Sequence, residues 1–397
     1  MEHHPRHIIH NFIPLHICKE LEFIHKSNCT VGYRPNVFST TLSHLIATNC
    51  PHLIMPFIPI REMVKEKVEE LFGCEFELFV EFTGLISWTK GASIGWHSDD
   101  NRSYLKQRDF TAVCYLNSYG ENFSGGIFHF QDGEPANYVP MAGDLVMYSA
   151  DDRNIHCVDE ITDGERLTLT IWFSRNSSYD EDEKLISRVA QTLSNNELTS
   201  CIPLPGSSNM YWFSSVEGSD QLQGFDIRYA RLLSLGYDIS TTQGKTSDEM
   251  NSTIDVSDVF TEPLRLARGD TLFNKKFANL LHALQAVQFY YWSRSNLPQT
   301  EGVRNTGDII QLSESQKQDI CNLRCLLSST MKLDASIFCH PSSNTIRDSH
   351  FDPKIFSEAL TSWEEYAFKL HEQLTVHLPF WKEYTSLFSV SLQVVNN

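Results

Sequence analysis

The sequence predicts an α+β protein whose core is a β-sandwich or jelly roll, braced by N-terminal helices and followed by a mostly helical C-terminal region. Three observations support this prediction. Short segments rich in β-branched and aromatic residues, bounded by Gly, Asn, Asp and Pro, follow one another between residues 76 and 173. Apolar residues recur at helical spacing on both sides of that region. Many short strands with turn signals are typical of sandwiches and jelly rolls.

The first elements of the chain are predicted to be a short strand and two helices. Residues 8–9 form a brief apolar strand, and residues 13–25 then place apolar side chains at helical spacing. Residues 61–72 alternate apolar and charged side chains with a clear helical period. We expect both helices to brace the sheets that follow.

The predicted strands cover residues 76–82, 85–88, 110–116, 126–130, 145–148 and 166–173. Alternation in the last strand puts Arg166, Thr168, Thr170 and Trp172 on one face, and four apolar residues on the other. A strand face that begins with Arg-x-Thr is suited to hold an anion inside the mouth of a barrel.

The second half of the chain is predicted to form a mainly helical region. A polar, acidic break after residue 176 divides the chain into a first domain at 1–176, with its core at about 76–175, and a second region at 177–397. The helical segments expected in the second region are 183–193, 277–292, 314–331 and 356–374, with a flexible polar loop at about 240–257. No motif assigns a function to this region, and we expect it to shape substrate access or to mediate assembly.

Three cysteines and a histidine in the second region raise the alternative of a zinc site. They are Cys321, Cys325, Cys339 and His340. The first two lie four residues apart among apolar neighbours, which favours small buried hydrophobic residues. The aromatic groups at residues 211–213 and 289–292 are likewise interpreted as core.

A possible metal site lies among the predicted strands. His97 and Asp99 are two positions apart, a spacing that on a strand puts both side chains on one face, and His156 and Arg166 follow them along the chain. Two imidazoles and one carboxylate on one face of Fe(II), with open positions opposite, are the ligand set of non-haem iron oxygenases. A guanidinium can hold the far carboxylate of a diacid through two parallel hydrogen bonds.

A His-x-acid triplet alone is weak evidence in a chain with 16 His and 50 acidic residues. A second triplet, His350 and Asp352, has no strand-rich segment after it, and the next histidine, His371, lies in a segment predicted to be helical. We therefore interpret the second triplet as a chance occurrence. Beside the first triplet, His129 is interpreted as a core or rim residue, and Asp100 is expected to point away from the ligands.

An ordered series of motifs around His97 resembles the catalytic domain of prolyl 4-hydroxylase-type Fe(II)/2-oxoglutarate dioxygenases. The motifs are Trp88-x-x-Gly91-x-x-Ile94-x-x-His97-x-Asp99, Thr111-x-x-x-Tyr115-Leu-Asn117, Ser124-Gly125-Gly126-x-x-x-Phe130, Pro140-x-x-Gly143-Asp144 and the segment from His156 to Trp172. The resemblance spans residues 6–175. Its last segment, which ends in Trp172-Phe173, is most similar to prolyl 3-hydroxylases and oxygen-sensing prolyl hydroxylases.

The resemblance implies a double-stranded β-helix, as well as a set of site residues. The implied iron ligands are His97, Asp99 and His156. Arg166 would bind the C5 carboxylate of 2-oxoglutarate, with Tyr115 and Thr168 as hydrogen-bonding neighbours, and Thr111 would line the co-substrate pocket. Where many relatives have Tyr, this chain has Trp88, whose indole N–H only donates. We also expect each ligand imidazole to have a hydrogen-bonding partner on its other ring nitrogen, which the sequence does not identify.

The activity implied by the resemblance is hydroxylation of a C–H bond, with succinate and CO2 as co-products. It requires Fe(II), 2-oxoglutarate and O2, with ascorbate as the reductant. A prolyl residue of a protein or peptide is the acceptor we favour. A lysyl residue, a small molecule or a nucleobase is left open, as is a catalytically silent module that binds 2-oxoglutarate and metal, although the intact ligand set disfavours the silent module.

Composition narrows the choice of partners and of compartment. The formal net charge of −18 argues against nucleic acid and anionic membranes as partners, and it is compatible with a protein or peptide substrate. The 10 Cys include no CxxC pair, and no apolar run typical of a leader or a membrane span occurs. We therefore expect an intracellular protein of the cytoplasm or nucleus. The sequence does not indicate its oligomeric state.

Overall fold

The structure, a computed structural model, describes residues 4–31, 36–47, 50–194, 285, 289, 292 and 353–378. The strands in these ranges are β1 Arg6–Ile9, β2 Thr30–Val31, β3 Val37–Thr41, β4 Phe79–Thr89, β5 Ile94–His97, β6 Phe110–Tyr115, β7 Phe123–Gly125, β8 Phe128–Phe130, β9 Asn137–Tyr138, β10 Leu145–Ser149, β11 His156–Val158 and β12 Ile161–Ser174. The α-helices there are α1 Leu15–Asn28, α2 Leu42–Ala47, α3 Phe57–Phe72, α4 Glu181–Ser194 and α5 Pro353–His377.

The strands form two sheets. The larger sheet has the order β1-β10-β6-β12-β4-β3-β2, with β7 paired to the start of β12, and the smaller sheet has the order β5-β11-β8-β9. The pairings from β1 to β3 in the larger sheet, and those along the smaller sheet, are antiparallel. The antiparallel, β-rich core predicted from the sequence is therefore confirmed.

One hydrophobic core joins the two sheets. Val113 and Val146 of the larger sheet belong to the same buried cluster as Phe128, Phe130 and Val158 of the smaller sheet. Burying a side chain of this size contributes about 1.5–3 kcal/mol to folding. Alternation along each strand sends these residues inward.

Helix α3 begins four residues before the predicted segment at 61–72. Its first turn contains the buried Phe57, Ile58 and Ile60, which are apolar on every side and therefore lack the amphipathic pattern that marked the rest. The helix ends at Gly73, whose φ of +59° is left-handed, a common helix end for glycine.

Strand β4 is continuous where the sequence predicted two strands at 76–82 and 85–88. Gly84, which lies between the two predicted strands, stays in the ladder opposite Thr170. The ring of Phe82 covers its α-carbon, since a β-carbon at Gly84 would lie only 2.6 Å from Phe82 Cζ. The glycine thus makes room for an aromatic side chain and does not form a turn.

The described residues fall into two compact units. One contains β3–β12 with α2, α3 and α4; the other contains residues 26–30 and the described residues from 285 to 372. In the second unit Gln285 donates a hydrogen bond to Asn28 Oδ1 at 3.0 Å. Helix α5 confirms the helix predicted at 356–374, and the domain boundary at residue 176 stays a prediction.

Several predicted features of the second half lie outside the described residues. They are the segment 314–331, the loop at 240–257, the aromatic group 211–213, the triplet of His350 and Asp352, and the residues Cys321, Cys325, Cys339 and His340. His371 is helical, as predicted. Among the helices of the described ranges, none has both the length and the apolar composition of a membrane span.

Candidate metal centre

Two strands of the smaller sheet place the two candidate imidazoles side by side. His97 ends β5, His156 begins β11, and the two residues are direct cross-strand partners with ring centroids 4.3 Å apart. Asp99 Oδ1 lies 3.7 Å from His97 Nε2 and 3.8 Å from His156 Nε2. Two atoms bound to one cation lie at most about 4 Å apart, so both separations suit a shared metal ion.

This trio is the only such group within the described part of the chain. One ligand atom from each of His97, Asp99 and His156 lies within 4.8 Å of the others. Its donor set, two nitrogens and one oxygen, suits Fe(II) with open positions. The residues predicted to hold the metal are therefore brought together by the fold.

Each imidazole is oriented by a main-chain carbonyl two residues before it. His97 Nδ1 lies 2.8 Å from the carbonyl oxygen of Gly95, and His156 Nδ1 lies 2.9 Å from that of Asn154. A carbonyl only accepts, so Nδ1 of each ring carries the hydrogen and Nε2 presents its lone pair. These carbonyls are the partners that the sequence could not identify.

Two hydroxyl groups donate hydrogen bonds to Oδ2 of the Asp99 carboxylate. Thr111 Oγ1 donates to Asp99 Oδ2 at 2.6 Å, and Tyr148 Oη donates to the same atom at 3.1 Å. Burial raises the pKa of Asp99, but His156, His97 and the Thr111 hydrogen bond together hold it below its usual value. The carboxylate is therefore ionised, with Oδ1 facing the imidazoles.

His156 is neutral near pH 7. Burial lowers its pKa to about 4, and the nearby Asp99 only partly opposes that shift. The Phe128 ring stacks on the imidazole at 4.9 Å with an interplanar angle of 12°. The ring is thus held as a lone-pair donor and not as a cation.

Arg166 is a buried cation with no carboxylate beside it. Its side chain lies in β12 opposite Trp88, and the residue is 4% exposed. Nη2 donates to Tyr115 Oη at 3.1 Å, whereas the buried Nε has no hydrogen-bond partner, and no ion pair forms with any residue of the described ranges. A buried charge without a partner is unfavourable by several kcal/mol. A bound carboxylate would supply the missing partner.

Two further residues predicted for the co-substrate pocket form hydrogen bonds with protein groups. Thr111, expected to line the pocket, donates to Asp99, and Thr168 donates to the carbonyl of Ile86 at 3.3 Å. Trp88 lies over the guanidinium, with Arg166 Cζ 5.5 Å from its ring centroid, within the range of a cation–π contact. The indole therefore covers Arg166 without a phenol-type hydrogen bond.

Asp100 and His129, which were not expected to be ligands, lie away from the metal trio. Asp100 accepts hydrogen bonds from Ser98 at 2.8 Å and from Lys106 at 2.7 Å. His129 is partly exposed at the rim and lies 2.8 Å from Asp159. Asp100 therefore has partners other than the trio, although it lies in a turn and not on a strand as assumed, and His129 lies at the rim, one of the two roles expected for it.

Sequence reasoning missed two residues that contact Asp99. Tyr148 was predicted only as the end of the strand at 145–148, and Arg108 was not assigned a role. Arg108 Nη1 donates to the main-chain carbonyl of Asp99 at 3.2 Å while its Cζ lies 3.4 Å over the Trp172 ring. The one available signal was a hydroxyl at the end of the otherwise apolar run Leu145-Val-Met-Tyr148.

The glycine pair before β8 allows close packing against Arg166. Gly126 has a φ of +67°, and a β-carbon there would lie 2.4 Å from Ile161 Cδ1 and 3.2 Å from Arg166 Cδ. Only glycine fits both the left-handed backbone and this spacing.

Known proteins match the part of the chain that contains this site. Residues 83–174 match the 2OG-Fe(II) oxygenase superfamily. The 2-oxoglutarate and iron-dependent oxygenase domain-containing protein 3 of Rattus norvegicus is 26% identical over 136 residues, which are 32% of this chain and 43% of that protein. Prolyl 3-hydroxylase 1 of Gallus gallus is 32% identical over 82 residues, which are 20% of this chain and 11% of that protein. The chain thus spans less than half the length of these curated relatives.

Among solved structures, a prolyl-4-hydroxylase of Pseudomonas putida is similar to this chain. It is 18% identical with a TM-score of 0.35, and the match covers 44% of this chain and 94% of that one.

Proposed function

Because residues 83–174 belong to the 2OG-Fe(II) oxygenase superfamily, we propose that this chain is an Fe(II)- and 2-oxoglutarate-dependent dioxygenase. The observation that carries the proposal is the grouping of His97, Asp99 and His156 around one point. In this proposal the two sheets are the double-stranded β-helix of that superfamily. An intracellular location remains a prediction.

The three side chains would hold the metal through His97 Nε2, Asp99 Oδ1 and His156 Nε2. When bound, Fe(II) supplies O2 activation for C–H hydroxylation, coupled to conversion of 2-oxoglutarate to succinate and CO2, with ascorbate as reductant. Both imidazoles are oriented by carbonyls before any metal arrives, so the site is preorganised for a cation.

Arg166 and Tyr115 would bind the far carboxylate of 2-oxoglutarate. The guanidinium offers its unpartnered Nε, and Tyr115 can donate its own hydrogen while it accepts from Arg166. Burial raises the pKa of Tyr115, with Arg166 opposing, so the phenol stays protonated. Charge also balances, since Fe(II) with Asp99 leaves one positive charge, Arg166 adds a second, and the co-substrate is a dianion.

We propose a prolyl residue of a protein or peptide as the acceptor. The similarity of 82 residues to a prolyl 3-hydroxylase supports this choice. A lysyl residue, a small molecule or a nucleobase would be reached by the same chemistry and is an outcome of the test below.

Succinate formation tests the dioxygenase activity. The full chain is incubated with Fe(II), 2-oxoglutarate, ascorbate and a panel of proline-containing peptides. We expect peptide-dependent succinate that disappears in His97→Ala and persists in His129→Ala, a matched histidine of the same sheet that binds Asp159. Binding of 2-oxoglutarate without succinate formation on any acceptor would instead identify a silent module.

Mass spectrometry then identifies the acceptor. A treated proteome is compared with one treated with the His97→Ala variant. The mass of one added oxygen atom should appear on proline in wild-type samples only. Added oxygen on lysine, with none on proline, would contradict the prolyl assignment and leave the oxygenase chemistry intact.

A further inference from the structure

Tyr148 and Thr111 form a cross-strand pair whose hydroxyls meet on one atom. The two residues are register partners on β10 and β6. Both donate to Asp99 Oδ2, at 3.1 Å and 2.6 Å respectively. A second donor on that oxygen therefore comes from a phenol, which follows three apolar residues in β10.

The Tyr148 ring is held in place on several sides. It contacts Phe130 edge-on at 5.6 Å and His156 at 4.9 Å, and the residue is fully buried. A ring fixed in this way leaves the phenol hydroxyl little choice of hydrogen-bond partner.

Two acceptors lie within reach of the Tyr148 hydroxyl. They are Asp99 Oδ2 at 3.1 Å and His156 Nε2 at 3.3 Å. A metal on His156 would use the Nε2 lone pair, and the phenol hydrogen could then go only to Asp99. Metal binding and the hydrogen bond from Tyr148 to Asp99 should therefore strengthen each other.

We propose that Tyr148 is a positioning residue that keeps Asp99 bound to the metal through Oδ1 alone. With both lone-pair regions of Oδ2 engaged by Tyr148 and Thr111, the carboxylate cannot turn to present its second oxygen. A coordination position that a two-oxygen carboxylate would take is thus kept open for the co-substrate. This inference rests on the proposed dioxygenase function.

Cobalt titration of the full chain tests the role of Tyr148 without turnover. Co(II) replaces Fe(II), its dissociation constant is measured by calorimetry, and its visible absorption reports coordination geometry. In Tyr148→Phe we expect about tenfold weaker Co(II) binding and an altered absorption spectrum. The matched control is Tyr138→Phe, which removes another buried tyrosine hydrogen bond, 2.6 Å to Asp144, and should leave both readouts unchanged.

Unchanged affinity and spectrum in Tyr148→Phe would overturn the inference. If that variant does not fold, 3-fluorotyrosine at position 148 strengthens the donor at nearly constant size and should shift the spectrum in the opposite direction; an unshifted spectrum would again overturn it. A wild-type chain that binds no Co(II) would instead reject the proposed function, so the two failures are distinguishable.

Discussion

Two arginines, Arg61 and Arg166, are buried to a similar degree but have different surroundings. Arg61, 1% exposed, lies in α3, and its Nη2 is 2.7 Å from Asp182 Oδ1 and 3.5 Å from Glu181 Oε2. Arg166, 4% exposed, donates a hydrogen bond to the Tyr115 hydroxyl at 3.1 Å and forms no ion pair within the described residues. Protein carboxylates neutralise the guanidinium of Arg61, whereas no carboxylate of the described residues neutralises that of Arg166.

The difference separates a structural charge from a binding charge. A buried cation with carboxylates from α4 joins two helices and contributes to the folded state. A buried cation without a carboxylate is unfavourable until an anion arrives, which is the property expected of a ligand site. The comparison predicts that replacing Arg61 affects stability, whereas replacing Arg166 affects binding.

The largest effect is expected from Arg61→Met. This change leaves Asp182 and Glu181 without their cation, and breaking a buried pair reduces stability by about 3–5 kcal/mol. Urea unfolding should show the loss, while the folded fraction binds 2-oxoglutarate with wild-type affinity. Wild-type stability in the variant would remove the distinction between the two arginines.

Arg166→Met should weaken 2-oxoglutarate binding without reducing stability. Loss of a buried charge partner weakens 2-oxoglutarate binding by about 2–5 kcal/mol, which is roughly 30-fold to several thousandfold in Kd. Calorimetry with Mn(II) as an unreactive metal measures this, and Mn(II) affinity should be retained. The urea midpoint should stay the same or rise, because an unpaired buried cation is removed.

The control for Arg166 is Arg175→Met. Arg175 is an exposed arginine at the end of β12 that pairs with Asp109 at 2.7 Å. The Arg175→Met substitution should leave the Kd for 2-oxoglutarate unchanged. A large loss in this control would show that the effect at Arg166 is not local.

The Arg61 cluster should also make stability depend on pH. Burial, opposed by Arg61, raises the pKa of Glu181 to about 7 from 4.5. Between these values the unfolded chain loses a proton that the folded chain keeps, so stability falls as pH rises from about 4.5 to 7. In Glu181→Gln this fall should be absent, a difference of up to about 3 kcal/mol between pH 4.5 and pH 8. If the stability of the wild-type chain and that of Glu181→Gln, measured by urea unfolding, change with pH in the same way, the prediction for Glu181 is wrong.

The smallest effect is expected at the ring over Arg166. Trp88→Phe keeps an aromatic face near the guanidinium and changes a cation–π contact by under about 1 kcal/mol. We therefore expect the Kd for 2-oxoglutarate to rise less than about fivefold. A larger loss in calorimetry would mean that the indole itself contacts the co-substrate.

Part of the metal trio could be predicted from local sequence, and the rest from the ordered motifs that resemble the dioxygenases. The shared strand face predicted for His97 and Asp99 was wrong, because β5 ends at His97 and Asp99 lies in the turn that follows; each ligand imidazole is oriented by a carbonyl two residues before it. The helical pattern of α3 was local, except for its uniformly apolar first turn. The break predicted between residues 82 and 85 was wrong, because Gly84 stays in the ladder opposite Thr170 and the Phe82 ring fills the space beside it.

The sequence by itself determined the kinds of donor, their order, and the antiparallel, β-rich character of the core, because these depend on spacing along a strand. Only the tertiary structure decided that Thr111 and Tyr148 share one oxygen of Asp99, that Arg61 meets Glu181 and Asp182, and that Arg166 meets no carboxylate among the described residues. Those contacts join residues far apart in the chain. Strand register and helix packing bring them together, and both are set by the burial of the whole core.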